Sequence, residues 1–439
     1  MVEPNFLSLF FLTVLLISIG SLLYYKFDVL EPGVLMSAAM AFSAFMAFLN
    51  INRWSLPFSF EAWFLLTAAI VLFQFGSFCS YKIGFQNAKT QSSNSNVRYE
   101  PSQWMTIICC IGIIGMAIFS FRELYDLSLS LGNVGGITSI IKVVRPAIEK
   151  QIISLSRWMN YRQSLALAIA SIYSFMLLFN VFYSKLKLKD LSLLIPIVLY
   201  FPFMIMTTGR MAMMSFGIYL FVVGMVLYQK KYGYTIRCNQ KAILFLAVAA
   251  IAFIGMFLLM GFFTGKIASE NHTVSMILAH YAGVSLPAFD KAIHTVYSDN
   301  GFVGSTTFLG IYRVLGRIGL TVPQVDIFLP FVKFDGIDTN VYTAEWRYYK
   351  DFGFVGLCAI MWLLGAFYSL FYNKIKYDTV SPFLIIFYAS IAFPLFLSSI
   401  DERFFLDLFG TAILYQFVLL FILYKFIICT SVRSTELHN

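Results

Sequence analysis

The sequence predicts an all-α, polytopic integral membrane protein of about eleven transmembrane helices, with a large outer loop containing amphipathic helices. Three observations carry that expectation. The 439 residues are 59% apolar and only 12% charged, where soluble domains hold about 45–50% and about 25%. Eleven apolar runs are long enough for a helix to cross a hydrocarbon core of about 30 Å. Lys and Arg gather on alternate loops between those runs. Such a composition excludes a soluble enzyme, a disordered tail and a fibrous repeat.

In chain order the runs are residues 6–25, 34–50, 58–80, 104–121, 163–184, 191–208, 211–228, 242–263, 354–371, 382–399 and 404–426. Each must be helical, because hydrocarbon offers no partner to a free backbone N–H or C=O. The first run has only Glu3 and no basic residue before it, and no small-x-small cleavage site after it. It reads as a retained helix rather than a cleaved signal. The chain divides into residues 1–263 (eight spans and an outer loop at 122–162), the large outer loop at 264–351, and residues 352–439 (three spans and a tail). Six scattered cysteines show neither metal-site nor disulfide spacing and read as small packing residues.

Charge sets the topology. The loops after spans one, three, five, seven and nine, with the C-terminus, hold 15 basic and 6 acidic residues. The opposite face holds 16 of each, so the whole formal charge of +9 lies on one side. Basic loops stay cytoplasmic, which places the N-terminus outside. The excess is an orientation signal, and no segment is both soluble and strongly basic, so no nucleic-acid partner is expected. The 264–351 loop then faces outward with three of the four histidines. The spans carry almost no charge, so chemistry is expected at the outer membrane–water boundary.

Four outer segments offer that chemistry. Arg210, between two spans with almost no loop, suits a lipid phosphate or diphosphate, because guanidinium makes bidentate bonds and stays charged; it would equally serve as an interfacial anchor. Residues 306–321 show helical amphipathicity, with Arg313 and Arg317 four apart on one face. Two adjacent guanidiniums suit a bridging diphosphate or anionic headgroups. Residues 275–293 form another amphipathic stretch, broken near Pro287, with His280 and Tyr281 at its centre. His280 can take a proton from a sugar hydroxyl, or be a packed helical histidine. Residues 340–353 gather Glu345, Arg347, Tyr348, Tyr349 and Asp351 at the entry to span nine. Such aromatics stack on sugars, and also form interfacial belts. Asp401, Glu402 and Arg403 before the last span read as a helix cap with Asp407 one turn on. No phosphate-binding Gly-Lys-Ser/Thr loop, His-Glu-x-x-His or Asp-x-Asp is present, so a metal–nucleotide-sugar mechanism lacks its residues.

The chain resembles Wzy-type polymerases of O-antigen and capsule repeat units. The resemblance rests on Thr208-Gly209-Arg210 at a span junction, on residues 281–289 (YAGVSLPAF) and on 304–308 (GSTTF). It rests most on 339–343 (TNVYT) with Arg347-Tyr348-Tyr349-x-Asp351-Phe352-Gly353. It implies a bacterial inner-membrane enzyme with a glycosyltransferase C-like helical fold, a periplasmic active face and no metal or other cofactor. The enzyme would transfer a growing glycan from undecaprenyl diphosphate to the non-reducing end of a lipid-linked repeat unit. A flippase and a chain-length regulator would be its partners. Carried over by residue, Arg210, Arg347, Tyr349 and Asp351 match the family's motifs. Arg210 with Arg313 or Arg317 would neutralise the leaving diphosphate. His280 is the first candidate base, with Glu345 and Asp351 as rivals. The alternatives are the related O-antigen ligase and, in a different class, a lipid-linked oligosaccharide flippase.

Overall fold

The structure is a computed structural model that describes residues 5–86, 97–132, 136, 139–150, 152–207, 211–241, 243–244, 255, 274–295, 302–323, 329–377 and 381–434. Among them, nine helices are long and apolar enough to cross a membrane. In chain order the helices used below are α1 Leu7–Tyr24, α2 Pro32–Leu49, α3 Phe60–Gln86, α4 Gln103–Ser130, α5 Ile140–Glu149, α6 Arg157–Tyr183, α7 Leu194–Met206 and α8 Met211–Tyr232. They continue as α9 Val274–Gly283, α10 Ser285–Ile293, α11 Leu309–Arg317, α12 Glu345–Tyr377, α13 Pro382–Ile391, α14 Phe393–Leu397 and α15 Thr411–Leu423. The chain is that of a membrane protein, predominantly helical among the described residues; two short antiparallel pairs, Val97–Tyr99 with Val432–Ser434 and Val332–Phe334 with Ile337–Thr339, are its strands there.

Several spans depart from the apolar runs. The fourth extends to Ser130 and the fifth begins at Arg157, which shortens the loop between them. Ser156 fixes that start, its Oγ accepting the Met159 N–H at 3.1 Å. Arg162 then pairs with Glu123 and donates to Ser120 at 2.8 Å, which joins the two outer ends. The run 382–399 splits into α13 and α14 at Ala392, ahead of Pro394. The last span begins at Thr411, because Phe404–Phe409 forms apolar turns instead of helix. The run 242–263 lies almost entirely outside the described residues.

The tightest pairing is α3 against α12. A Cβ on Gly365 would lie 2.1 Å from the Phe73 carbonyl oxygen, so only glycine permits this approach. Helix ends gather in two layers, called outer and inner here after the charge pattern. The inner layer corrects the expectation that polar groups collect at one end. Buried Asp28 accepts from Lys376 at 2.6 Å, Tyr372 at 2.8 Å and Gln229 at 2.9 Å. Glu31, also buried, accepts from Ser369 at 2.7 Å. Arg98 holds Asp190 with 2.6 and 2.7 Å contacts. The Asp28 and Glu31 contacts staple the inner ends of α2, α8 and α12, and Arg98–Asp190 ties the Val97–Tyr99 strand to the turn before α7, as buried charges must be matched.

Candidate functional site at the outer end

The outer end is built around the first turns of α12. Asp351 Oδ2 accepts the backbone N–H groups of Thr306 at 3.0 Å and Thr307 at 2.6 Å. Arg347 donates to the Thr306 carbonyl at 3.2 Å, and the Thr307 hydroxyl donates to the Arg347 carbonyl at 3.0 Å. The i,i+4 pair thus grips one dipeptide rather than facing a ligand. That grip corrects the sequence expectation for 306–321: Thr306 and Thr307 are turn, and the helix covers only Leu309–Arg317. Gly353 ends the segment with φ 63° and ψ −164°, a conformation essentially reserved for glycine. It re-aims the chain into the long apolar part of α12.

Beneath this turn lies Glu402. It accepts the Tyr348 hydroxyl at 3.0 Å and the N–H groups of Phe405 and Leu406 at 2.8 and 2.9 Å. Capping is therefore its role, of a turn rather than of the last span. Burial pushes its carboxyl up to about 7; the Phe405 N–H and the Arg347 charge act against that rise. Asp401 and Asp407 flank Arg403 at 2.7 and 3.1 Å. Trp346, Arg347 and Tyr348 are buried, so they are neither an aromatic belt nor a ligand-facing surface.

Arg313 and Arg317 are exposed on one face of α11. Desolvation, then the like charges of Arg347 and Arg317, hold Arg313 below the usual guanidinium range, with Asp407 opposing. Arg317 also donates to the Thr411 hydroxyl at the start of α15. Positive charge therefore converges beside Asp407.

Asp407 also lines a cavity of about 220 Å³ between α6, α7, α8, α13–α14 and α15. Asn160, Gln163 and Gln416 supply amides to its wall, and Thr207 borders it. Along α6 the lining residues Asn160, Ser164, Leu167 and Ser171 recur at helical spacing. They reach about 16 Å inward at 1.5 Å per residue. The Tyr219 hydroxyl, bonded to the Ser171 carbonyl at 2.7 Å, lies at the deep end.

The predicted catalytic residues do not meet at this cavity: His280, Glu345 and Asp351 are all absent from its lining. Glu345 is fully buried, with the Thr343 side chain and its own backbone N–H beside its carboxylate, and burial pushes that carboxyl up to about 7. His280 is half-buried on α9 and stacks on Tyr281 at 5.4 Å. The break in 275–293 falls at Val284, not Pro287, which sits in the first turn of α10 where its missing N–H costs nothing. Tyr349 donates to Glu61 at 3.3 Å, and His294 lies 3.8 Å from both Glu61 and Asp290. Arg210 lies outside the described residues, three positions after Thr207. Of the cavity residues the sequence reading names Asp407, as part of a cap, but not Asn160, Gln163 or Gln416; the polar stripe on α6 was the available signal. Comparison with models of known families, with curated proteins and with solved structures finds no match.

Proposed function

We propose that the protein is a metal-independent membrane glycosyltransferase of the outer face of a bacterial inner membrane, polymerising oligosaccharide repeat units carried on undecaprenyl diphosphate. One observation carries it: exposed Arg313 and Arg317, backed by Arg347, lie near Asp407 and Thr411, and Asp407 is the carboxylate that lines the amide-bearing cavity among the described residues. A diphosphate bridging the guanidiniums relieves their repulsion, and the cavity beside it accepts hydroxyl-rich material. Eleven spans in a glycosyltransferase C-like arrangement belong to the same proposal.

In this mechanism an acceptor hydroxyl attacks the anomeric carbon of the lipid-linked glycan. The bond to the diphosphate oxygen breaks, and Arg313, Arg317 and Arg210 stabilise the charge that develops there. Asp407 joins His280, Glu345 and Asp351 among the candidate acceptors of the hydroxyl proton, because it is the carboxylate that lines the cavity among the described residues. Asp351 and Arg347 act as positioning residues for the Thr306–Thr307 turn. The cavity also suits the transporter alternative; among the described residues its inward end meets the Tyr219–Ser171 bond. A genetic test separates the classes. Arg210→Ala should abolish polymer while single lipid-linked repeats persist. Loss of a ligase would instead leave full-length polymer on the carrier, and loss of a flippase would trap single repeats on the cytoplasmic face. Polymer of normal length in the variant removes the diphosphate role of Arg210.

A further inference from the structure

We infer that the α6–α7–α8–α15 cavity is a binding pocket for one neutral sugar ring of the glycan, an inference that rests on the polymerase proposal for its biological meaning but not for its chemistry. Four features select that ligand.

The first is lining chemistry. Asn160, Gln163 and Gln416 each carry both a donor and an acceptor, the combination that reads vicinal hydroxyls. The second is charge. Among the described residues the lining holds no Lys or Arg, and its carboxylate Asp407 is already paired with Arg403, so the described wall reads hydroxyls rather than charge. The third is shape. Tyr200, Phe216, Tyr219 and Phe393 add four aromatic rings to the lining, suited to the C–H face of a pyranose. At about 220 Å³ the space is smaller than the clefts of roughly 300–1,000 Å³ that take drug-sized ligands, which fits one ring rather than a whole repeat unit.

The fourth feature is unmet hydrogen bonding. The wall serines are satisfied locally: Ser164, Ser171 and Ser390 donate to carbonyls one turn back at 3.0, 2.7 and 2.9 Å. Gln163 is different, since its Nε2 is buried with no hydrogen-bond partner. A buried amide donor at membrane depth is expensive unless something bonds it. A sugar hydroxyl in the cavity supplies the acceptor.

The test uses the full-length protein in lipid nanodiscs. Saturation-transfer NMR is run with neutral hexoses, N-acetylhexosamines and uronic acids as probes. At least one neutral sugar should receive transfer, uronic acids should receive none, and Gln163→Leu or Ser215→Phe should abolish the signal. No transfer to any neutral sugar, or transfer that survives both substitutions, overturns the inference. Gln416→Leu provides an independent variant should either of these fail to fold, judged by gel filtration. A ladder assay on lipid-linked repeats separates the two claims. With an active wild type, the pocket variants should raise KM for the lipid-linked repeat at least about tenfold, as loss of a buried hydrogen bond to ligand would. A ladder with unchanged KM refutes the pocket and leaves the polymerase standing. Sugar binding without any ladder refutes the polymerase and leaves the pocket standing.

Discussion

Glu402→Gln should change how stability depends on pH. In the folded protein the carboxyl is buried and titrates near 7. In the unfolded chain it returns to the ordinary range near 4.5. Because the folded value is the higher one, the folded state holds the proton longer as pH rises. Stability is thus lost progressively from about pH 4.5 to about pH 7 and is level above that. At about 1.4 kcal/mol for each tenfold displacement, the ionised form costs the fold on the order of 3 kcal/mol at pH 8 relative to pH 4. Glutamine keeps the shape and an acceptor for the N–H of Phe405 or Leu406, but it has no proton to lose. The assay is the melting temperature in detergent by intrinsic fluorescence, from pH 4.5 to 8, for wild type and variant. The variant's advantage over wild type should grow with pH and stop growing near 7. A difference that is constant across pH, or largest in acid, would refute the burial argument.

Three further outcomes are expected. Gly353→Ala forces a side chain into φ 63°, ψ −164°, which costs about 1–3 kcal/mol and should lower the melting temperature; an unchanged value would mean the kink is not required. Lys376→Met leaves Asp28 and Glu31 buried without their cation and should destabilise by about 3–5 kcal/mol, with Asp28→Asn/Lys376→Met recovering part of the loss; equal melting of single and double variants would contradict the pairing. Arg313→Gln/Arg317→Gln should weaken binding of a diphosphate lipid in nanodiscs about tenfold or more, with a shallower salt dependence; unchanged affinity would remove the arginines from the site.

Hydropathy located the nine long apolar helices among the described residues because hydrocarbon admits almost nothing but helix. It misplaced the start of the last span because Phe404, Phe405, Leu406 and Phe409 are as apolar as a helix would be. They turn because Glu402 captures two backbone N–H groups and because Phe405 packs edge-on against Phe308 and Tyr348 at 5.1 and 5.9 Å. Spacing put Arg313 and Arg317 on one face, and the face they share survives in α11. Spacing also put Arg347 and Asp351 one turn apart, but not that both would hold Thr306 and Thr307. That contact depends on a loop more than forty positions away. The cavity was hidden for a similar reason. Asn160, Gln163, Gln416 and Asp407 are single polar residues on separate segments, and the register between helices that unites them is a property of packing.

The most direct test of the central claim is to reconstitute the purified protein with one defined undecaprenyl-diphosphate-linked repeat unit and separate the products by size. The account predicts a ladder of glycans rising in steps of one repeat, made without added metal or nucleotide and lost in Arg313→Gln/Arg317→Gln. Single repeats alone, from protein shown to be folded and to bind the lipid, would contradict it.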